Sequence, residues 1–354
     1  MIRLDWYVGK TLFAATLLAW SVMIVLDTLF SFLGELGDVG RGAYTLGDAV
    51  IYTLLSLPTG AWQIFPMAVL IGSLIGLGSL ASQRELTAFR LAGCSPIRLL
   101  RAALQAGLLM LIAAALIGEL LAPPAAQLAA GLRASALHGN LRMQSDGGFW
   151  VREGDRMIRV GNSAADGDLA DIMIFELGST PGLRTATAIA AARYQSGEWL
   201  LQDVRETVFA QQRIEISRST ERRIERLIPP TLAQLLSRDV QTLTLIDLRR
   251  YAQYLRRNGS DAGPAWLNYW QRVSAPLAVI AMLVLSVSLV LGPLGRQSVG
   301  KRVLSGVLIG LTFKLFNDIS AYAGLVLGIP PWINALSASL LVSVIGLLLL
   351  RRFS

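Results

Sequence analysis

Six stretches of the chain are apolar almost without interruption: residues 12–33, 62–81, 99–121, 273–291, 303–327 and 332–350. Each is close to the roughly 20 residues of helix that cross a bilayer core of about 30 Å, so each predicts a membrane-spanning helix. The first is too long for a cleavable signal, and no small-residue cleavage site follows it. Between the third and fourth stretches the pattern turns to alternation. Residues 147–162 (GGFWVREGDRMIRVGN) read as two β-favouring runs around Glu153-Gly154-Asp155. Residues 171–177 (DIMIFEL) read as one short strand and 185–209 as two strands around Gln195-Ser196-Gly197-Glu198. In 213–227, Ile214 and Ile216 alternate with polar residues. Several short strands with glycine turns predict an antiparallel, jellyroll-like sheet. Helical spacing returns in 244–259, where Leu245, Leu248, Tyr251, Ala252 and Leu255 share a face. Thr244 with Asp247 resembles a capping box, and Asn258-Gly259 closes the helix.

The fold class is therefore an α-helical membrane protein with six transmembrane helices and an inserted antiparallel β-domain. Residues 1–121 hold three spans, 122–264 the β-domain with a terminal amphipathic helix at about 244–258, and 265–354 the last three spans. Composition agrees. Only 16% of residues are charged, against roughly 25% in soluble domains. The formal net charge of +8 is read loop by loop, because cytoplasmic loops collect Lys and Arg. Arg3 and Lys10 precede the first span. Arg84, Arg90, Arg98 and Arg101 surround the second connection. Arg296, Lys301 and Arg302 lie between the fourth and fifth spans, and Arg351 and Arg352 end the chain. Counted alternately, all fall on one side, which predicts cytoplasmic termini and an external β-domain.

Residues 295–302 (GRQSVGKR) match the phosphate-binding loop up to its last letter. Arg302 stands where a magnesium-holding Ser or Thr is required, and the flanks are spans rather than a strand and a helix. The stretch reads as a cytoplasmic turn whose basic residues anchor the topology, and the chain is not expected to hydrolyse ATP. One cysteine, Cys94, excludes an internal disulfide, and one histidine, His138, argues against a zinc site. No cofactor pattern is present.

Residues 81–101 (ASQRELTAFRLAGCSPIRLLR) are too polar to span a bilayer and too apolar for a bare loop. Leu86, Phe89, Arg90 and Gly93 recur at helical spacing, bracketed by Glu85 and Arg98. A helix resting on lipid and a docking helix for a soluble partner both fit this pattern. Ala68, Gly72 and Gly76, and Gly306 with Gly310, are four apart, as where membrane helices approach closely. Asp27, Glu119, Lys314 and Asp318 lie within or at the edges of apolar runs, where charges face a bundle interior or a cavity. Lys314 and Asp318, four apart, suit an ion pair on one helix face; the alternative places Lys314 on a route for an anionic headgroup. Arg41, Arg133 and Arg142 flank the external mouths of the spans, as solvated surface arginines or as phosphate contacts.

These features resemble the LptF/LptG permease family of lipopolysaccharide export, with the LptG branch the nearer likeness. The motifs carrying the resemblance are LDWYVGKT, YTLLSLP, FPMAVLIGSLIGLGSLA, GELLAP, LIDLRRYAQYL and GIPP, in the family's order. The resemblance implies a permease subunit of an ATP-driven extractor in the bacterial inner membrane, with the β-domain in the periplasm. It implies an LptB ATPase dimer, an LptF permease subunit, LptC and LptA reached through the periplasmic domain, and lipopolysaccharide as substrate, with no nucleic acid. The helix carrying Arg84, Glu85, Leu86, Phe89, Arg90 and Gly93 resembles the coupling helix that fits the ATPase. Arg133 matches a basic position near the lipid entry, with Arg41 and Lys314 as further candidate phosphate contacts. Where family members carry lysines in and after the first span, this chain has Ser31, Gly37 and Asp38, and Arg41 is a candidate substitute.

Two other classes fit parts of the sequence. A lipid-modifying envelope enzyme would need a dense polar cluster at the membrane surface, which the chain does not offer. A membrane-anchored scaffold would share the docking helix and the β-domain. Co-purification separates them, because a permease subunit brings down an ATPase and a second six-span chain.

Overall fold

The computed structural model describes residues 2–91, 95–138, 149–153, 155–163, 168–177, 182–195, 197–210, 213–224, 227–228, 240–258, 261–295 and 297–353. The chain forms two compact units, one of Met1–Val39, Ala49–Ala129 and Trp266–Ser354, the other of Gly40–Asp48 and Ala130–Ala265.

The first unit is helical. Helix α1 (Ile2–Glu35) is followed by α2 (Leu46–Ser82), the short α3 (Glu85–Leu91) and α4 (Pro96–Leu116). A π-helical turn (Ile117–Leu121) joins α4 to α5 (Ala122–His138), which leads into the second unit. After that unit come α7 (Gly263–Leu291), α8 (Val299–Val326) and α9 (Pro331–Phe353); α6 lies in the second unit. Among the described residues, six helical stretches are long and apolar enough to cross a membrane. Two are much longer than the apolar runs predict. Helix α2 starts at Leu46 with Pro58 and Pro66 inside it, since membrane helices tolerate proline where neighbours satisfy the freed backbone. The third stretch runs on past Pro123 and Pro124 to Leu137. Those prolines sit in the first turn of α5, and the π-turn ahead of them re-routes the ladder, Ala122 N–H bonding to Ile117 O.

Helices α2 and α7 form the centre, with 67% of the most apolar window of each buried, whereas α1 and α8 bury 22% and 11% of theirs. One core cluster joins Val8 and Leu12 of α1 to Leu70, Leu74 and Leu77 of α2 and Met282 of α7; another gathers Trp20, Phe65, Met110 and Val279. Gly72 is the closest approach of α1 and α2: a Cβ there would collide with the Thr16 backbone.

The second unit is a six-stranded antiparallel meander: β1 (Phe149–Glu153), β2 (Arg156–Ser163), β3 (Leu169–Leu177), β4 (Leu183–Gln195), β5 (Glu198–Ala210) and β6 (Arg213–Ile224), each paired with the next. The jellyroll-like sheet expected from the sequence is thus antiparallel and built of neighbouring hairpins. One row leaves a gap in four of the five pairings, without a register shift: Gly161, Asp171, Ala190, Asp203 and Thr220, each opposite the next, are unpaired. Asp171 and Asp203 have φ of 51° and 49° there. The inward face changes phase across that row, so Leu201 and then Val204, and Leu169 and then Ile172, are the buried residues. The core is completed by Val160, Ile189 and Trp199, whose Nε1–H donates to Ile228 O at 3.0 Å. Helix α6 (Leu245–Arg257) packs Tyr254 against this core and buries Leu248 and Ala252. Its cap is the one expected: Thr244 Oγ1 accepts from Asp247 N–H at 3.2 Å and donates to the Asp247 carboxylate at 2.9 Å. Gly259 lies outside the described residues.

Candidate functional site

Three places gather functional side chains. The first is α3. Arg84, with φ of 62°, breaks the chain between α2 and α3. Ser95 caps α4 by accepting from Arg98 N–H, and Pro96 begins that helix. The N-terminus of α1 braces both sides of α3: Tyr7 O–H donates to Glu85 Oε1 at 3.3 Å, and Arg98 donates from Nε and Nη2 to the two oxygens of Asp5 at 3.1 and 3.2 Å. Such two-point arginine–carboxylate pairs fix geometry as well as charge. Leu86 is buried in the core of the helical unit and Phe89 packs against it. These two residues therefore anchor α3 to its own unit, and the apolar surface left outward is Leu91, 86% exposed, and Ile97, 70% exposed. Arg90 lies on α3, while Gly93 and Cys94 fall outside the described residues.

The second place is the concave face of the sheet. A cavity of ≈ 100 Å³ has a floor that includes Ile158, Ile174, Ile189, Leu201 and Val204. Its rim is polar. Arg156 pairs with Glu176 at 2.7 Å and Arg222 with Glu206 at 2.9 Å. The trough thus combines an apolar floor with an edge of ion pairs.

The third is the mouth of the β unit. Arg41 sits in a loop strapped to α5, where Ala43 N–H donates to Ala136 O at 2.8 Å. Gly42, with φ of 57°, lies too close to the Leu137 carbonyl to accept a Cβ. Arg133 is one turn back on α5, so residues 92 positions apart in sequence belong to neighbouring elements. Lys314 belongs to the other unit, exposed on α8. Among the described residues no ion pair joins it to Asp318, which is also exposed, so the expected internal pair does not form. Arg142 lies outside the described residues.

Sequence reasoning missed two arginines. Arg272 reaches Glu119 on the π-helical turn at 3.5 Å, so Glu119 is paired within the helical unit. Arg302, read as a topology anchor, is fully buried. It donates to Leu294 O and Gly295 O at 3.0 and 2.9 Å, while the neighbouring Lys301 stays exposed. The turn of residues 292–298 lies between two helices, α7 and α8, with no strand before it. A span-side arginine looks the same in sequence whether it points to water or folds back into the bundle.

Comparison with known proteins is consistent across the chain. The family described as lipopolysaccharide export system permease LptF/LptG matches residues 6–352. The lipopolysaccharide export system permease protein LptG of Escherichia coli K12 is 30% identical over 354 residues, covering 99% of this chain and 98% of that protein. The protein of the same name from Haemophilus influenzae is 30% identical over 351 residues, with the same shares covered. A match of this extent includes the helices on both sides of the sheet as well as the sheet itself, and the chain belongs to the LptF/LptG family of lipopolysaccharide export permeases.

Proposed function

We propose that the chain is a permease subunit of an ABC transporter that extracts lipopolysaccharide from the bacterial inner membrane and passes it to a periplasmic bridge towards the outer membrane. The observation that carries this reading is the family match over residues 6–352, and the apolar trough and the braced α3 support it. ATP is split on a separate LptB dimer, since the chain's one phosphate-loop-like turn lies between two helices. The coupling segment is Arg84, Glu85, Leu86, Phe89, Arg90 and Gly93, with both termini cytoplasmic as the distribution of Lys and Arg implies. Leu86 and Phe89 seat the helix, while Glu85, Leu91 and Ile97 meet the ATPase. Arg133 and Arg41 hold the lipid's phosphates at the mouth of the β unit, Lys314 does so on α8, and the trough receives acyl chains. Asp27, Lys314 and Asp318 are exposed on α1 and α8, and bare lipid is a costly neighbour for charge. An LptF subunit, or the headgroup path between the two permeases, covers those faces. LptC and LptA continue the route from the sheet.

Reconstitution tests the reading. Proteoliposomes holding this chain with LptB, LptF and LptC, loaded with lipopolysaccharide, deliver it to LptA only with ATP. Delivery by vesicles lacking this chain would overturn the assignment, and co-purification without an ATPase or a second permease would favour the scaffold reading.

A further inference from the structure

Arg302 occupies a position that lipid export does not obviously require. It is fully buried near the start of α8. Its Nε and Nη2 donate to the carbonyls of Leu294 and Gly295 in the turn after α7. That turn follows the negative end of a helix dipole, which favours a cation. Its Nη1 rests in the space left by Gly78 of α2, where any Cβ would collide with the guanidinium. Nη1 has no hydrogen bond among the described residues, so packing against α2 holds it. The contact continues along both helices. A Cβ on Gly306 would lie 3.1 Å from Ile71 Cγ1 and from Leu74 Cδ1, and one on Gly310 would lie 3.6 Å from Met67 Cβ. Positions 302, 306 and 310 of α8 thus meet 78, 71–74 and 67 of α2 in antiparallel order. Gly78 lies seven residues before Glu85 of α3. The rest of α8 is little covered.

We propose that Arg302 is a positioning residue that locks the first half of α8 to α2, so that the two move as one rigid body and displacement of α3 reaches α8 through this seam. The inference rests on the permease reading above. A buried guanidinium is always charged and must keep its carbonyl partners. Sliding α8 along α2 would drive it out of the only gap on that turn of α2 left by a glycine beside it. Closure of the ATPase then moves α8 with α2, and the exposed face of α8 shifts against whatever covers it.

A disulfide across the seam tests this directly. In a Cys94→Ser parent, Met67→Cys with Gly310→Cys places the two Cβ atoms about 3.6 Å apart, inside the range of about 3.5–4.5 Å that a disulfide needs. If the seam is rigid, oxidised and reduced protein deliver lipopolysaccharide at the same rate per ATP. Loss of delivery on oxidation, restored by reduction, would show that the helices slide and would overturn the proposal. A parent that delivers no lipid in either state defeats the permease reading, and the inference falls with it. Gly78→Ala provides a second test without a crosslink. It should leave ATP hydrolysis in place while lipid delivered per ATP drops by roughly 2- to 30-fold, the range seen for substitutions along a coupling path. An unchanged ratio in Gly78→Ala would equally reject the proposal.

Discussion

Glu85 accepts from Tyr7 of α1, and in the proposed function it meets the ATPase. Reversing its charge removes the brace and presents a cation to the ATPase. Glu85→Arg should weaken association with LptB by about 2–5 kcal/mol, the penalty for breaking a charged contact at an interface. Pull-down of LptB on the tagged variant measures this, and normal recovery of the complex would remove Glu85 from the coupling role. Trp199 presents a different case. It is 1% exposed, lies tilted against Tyr194 with ring centroids 5.3 Å apart, and donates to Ile228 O. Trp199→Ala should destabilise the β unit by about 3–5 kcal/mol, through lost burial, a cavity and an unpaired carbonyl. Thermal unfolding of the purified chain in detergent should show the loss. At this scale the sequence was a partial guide. Thr244 and Asp247 declared their cap, because a capping pair is local. Arg302 did not declare its burial, nor Arg272 its partner, because these depend on Gly78, Leu294 and Glu119, which only the tertiary fold brings near.

The strands illustrate what an alternating pattern conveys and where it fails. All six strand positions were legible as β-favouring runs between glycine-containing turns. The inward faces were not, because the unpaired row at Gly161, Asp171, Ala190, Asp203 and Thr220 breaks the alternation, so that Ile172 follows Leu169 and Val204 follows Leu201 inward. Asp171 and Asp203 tolerate positive φ because their short polar side chains suit it better than branched ones do. Asp203→Val should therefore destabilise by roughly 1–3 kcal/mol from backbone strain, while Asp203→Gly keeps or raises stability. Unfolding midpoints of the two variants, compared with the parent, decide it; equal loss in both would assign the effect to the side chain rather than to the bend. Among helices, the apolar runs located every span but underestimated α2 and the third stretch. Proline reads as a helix end in water, yet Pro58, Pro66, Pro123 and Pro124 are all absorbed here by membrane packing or by a π-turn.

For the whole molecule, the division of burial among the helices sets the mechanism. Helices α2 and α7 are the buried centre, and α1 and α8 are left open. The open helices expose the charges Asp27, Lys314 and Asp318, and in the proposed function these faces meet the second permease and the lipid path. In the proposed function energy enters through α3, which Tyr7 ties to the start of α1, while Asp5 ties Arg98 of α4 to the same helix. The proposed function uses ATP on one side of the bilayer and lifts lipid on the other, which requires rigid helices with two arrangements to carry the coupling. A crosslink between α1 and α8 of the partnering permease, formed in the reconstituted complex, tests that central claim. ATP-driven delivery of lipopolysaccharide to LptA should stop on crosslinking and return on reduction, while basal ATP hydrolysis continues. Undiminished delivery with those helices held together would contradict the account, because the lipid would then be travelling by another path.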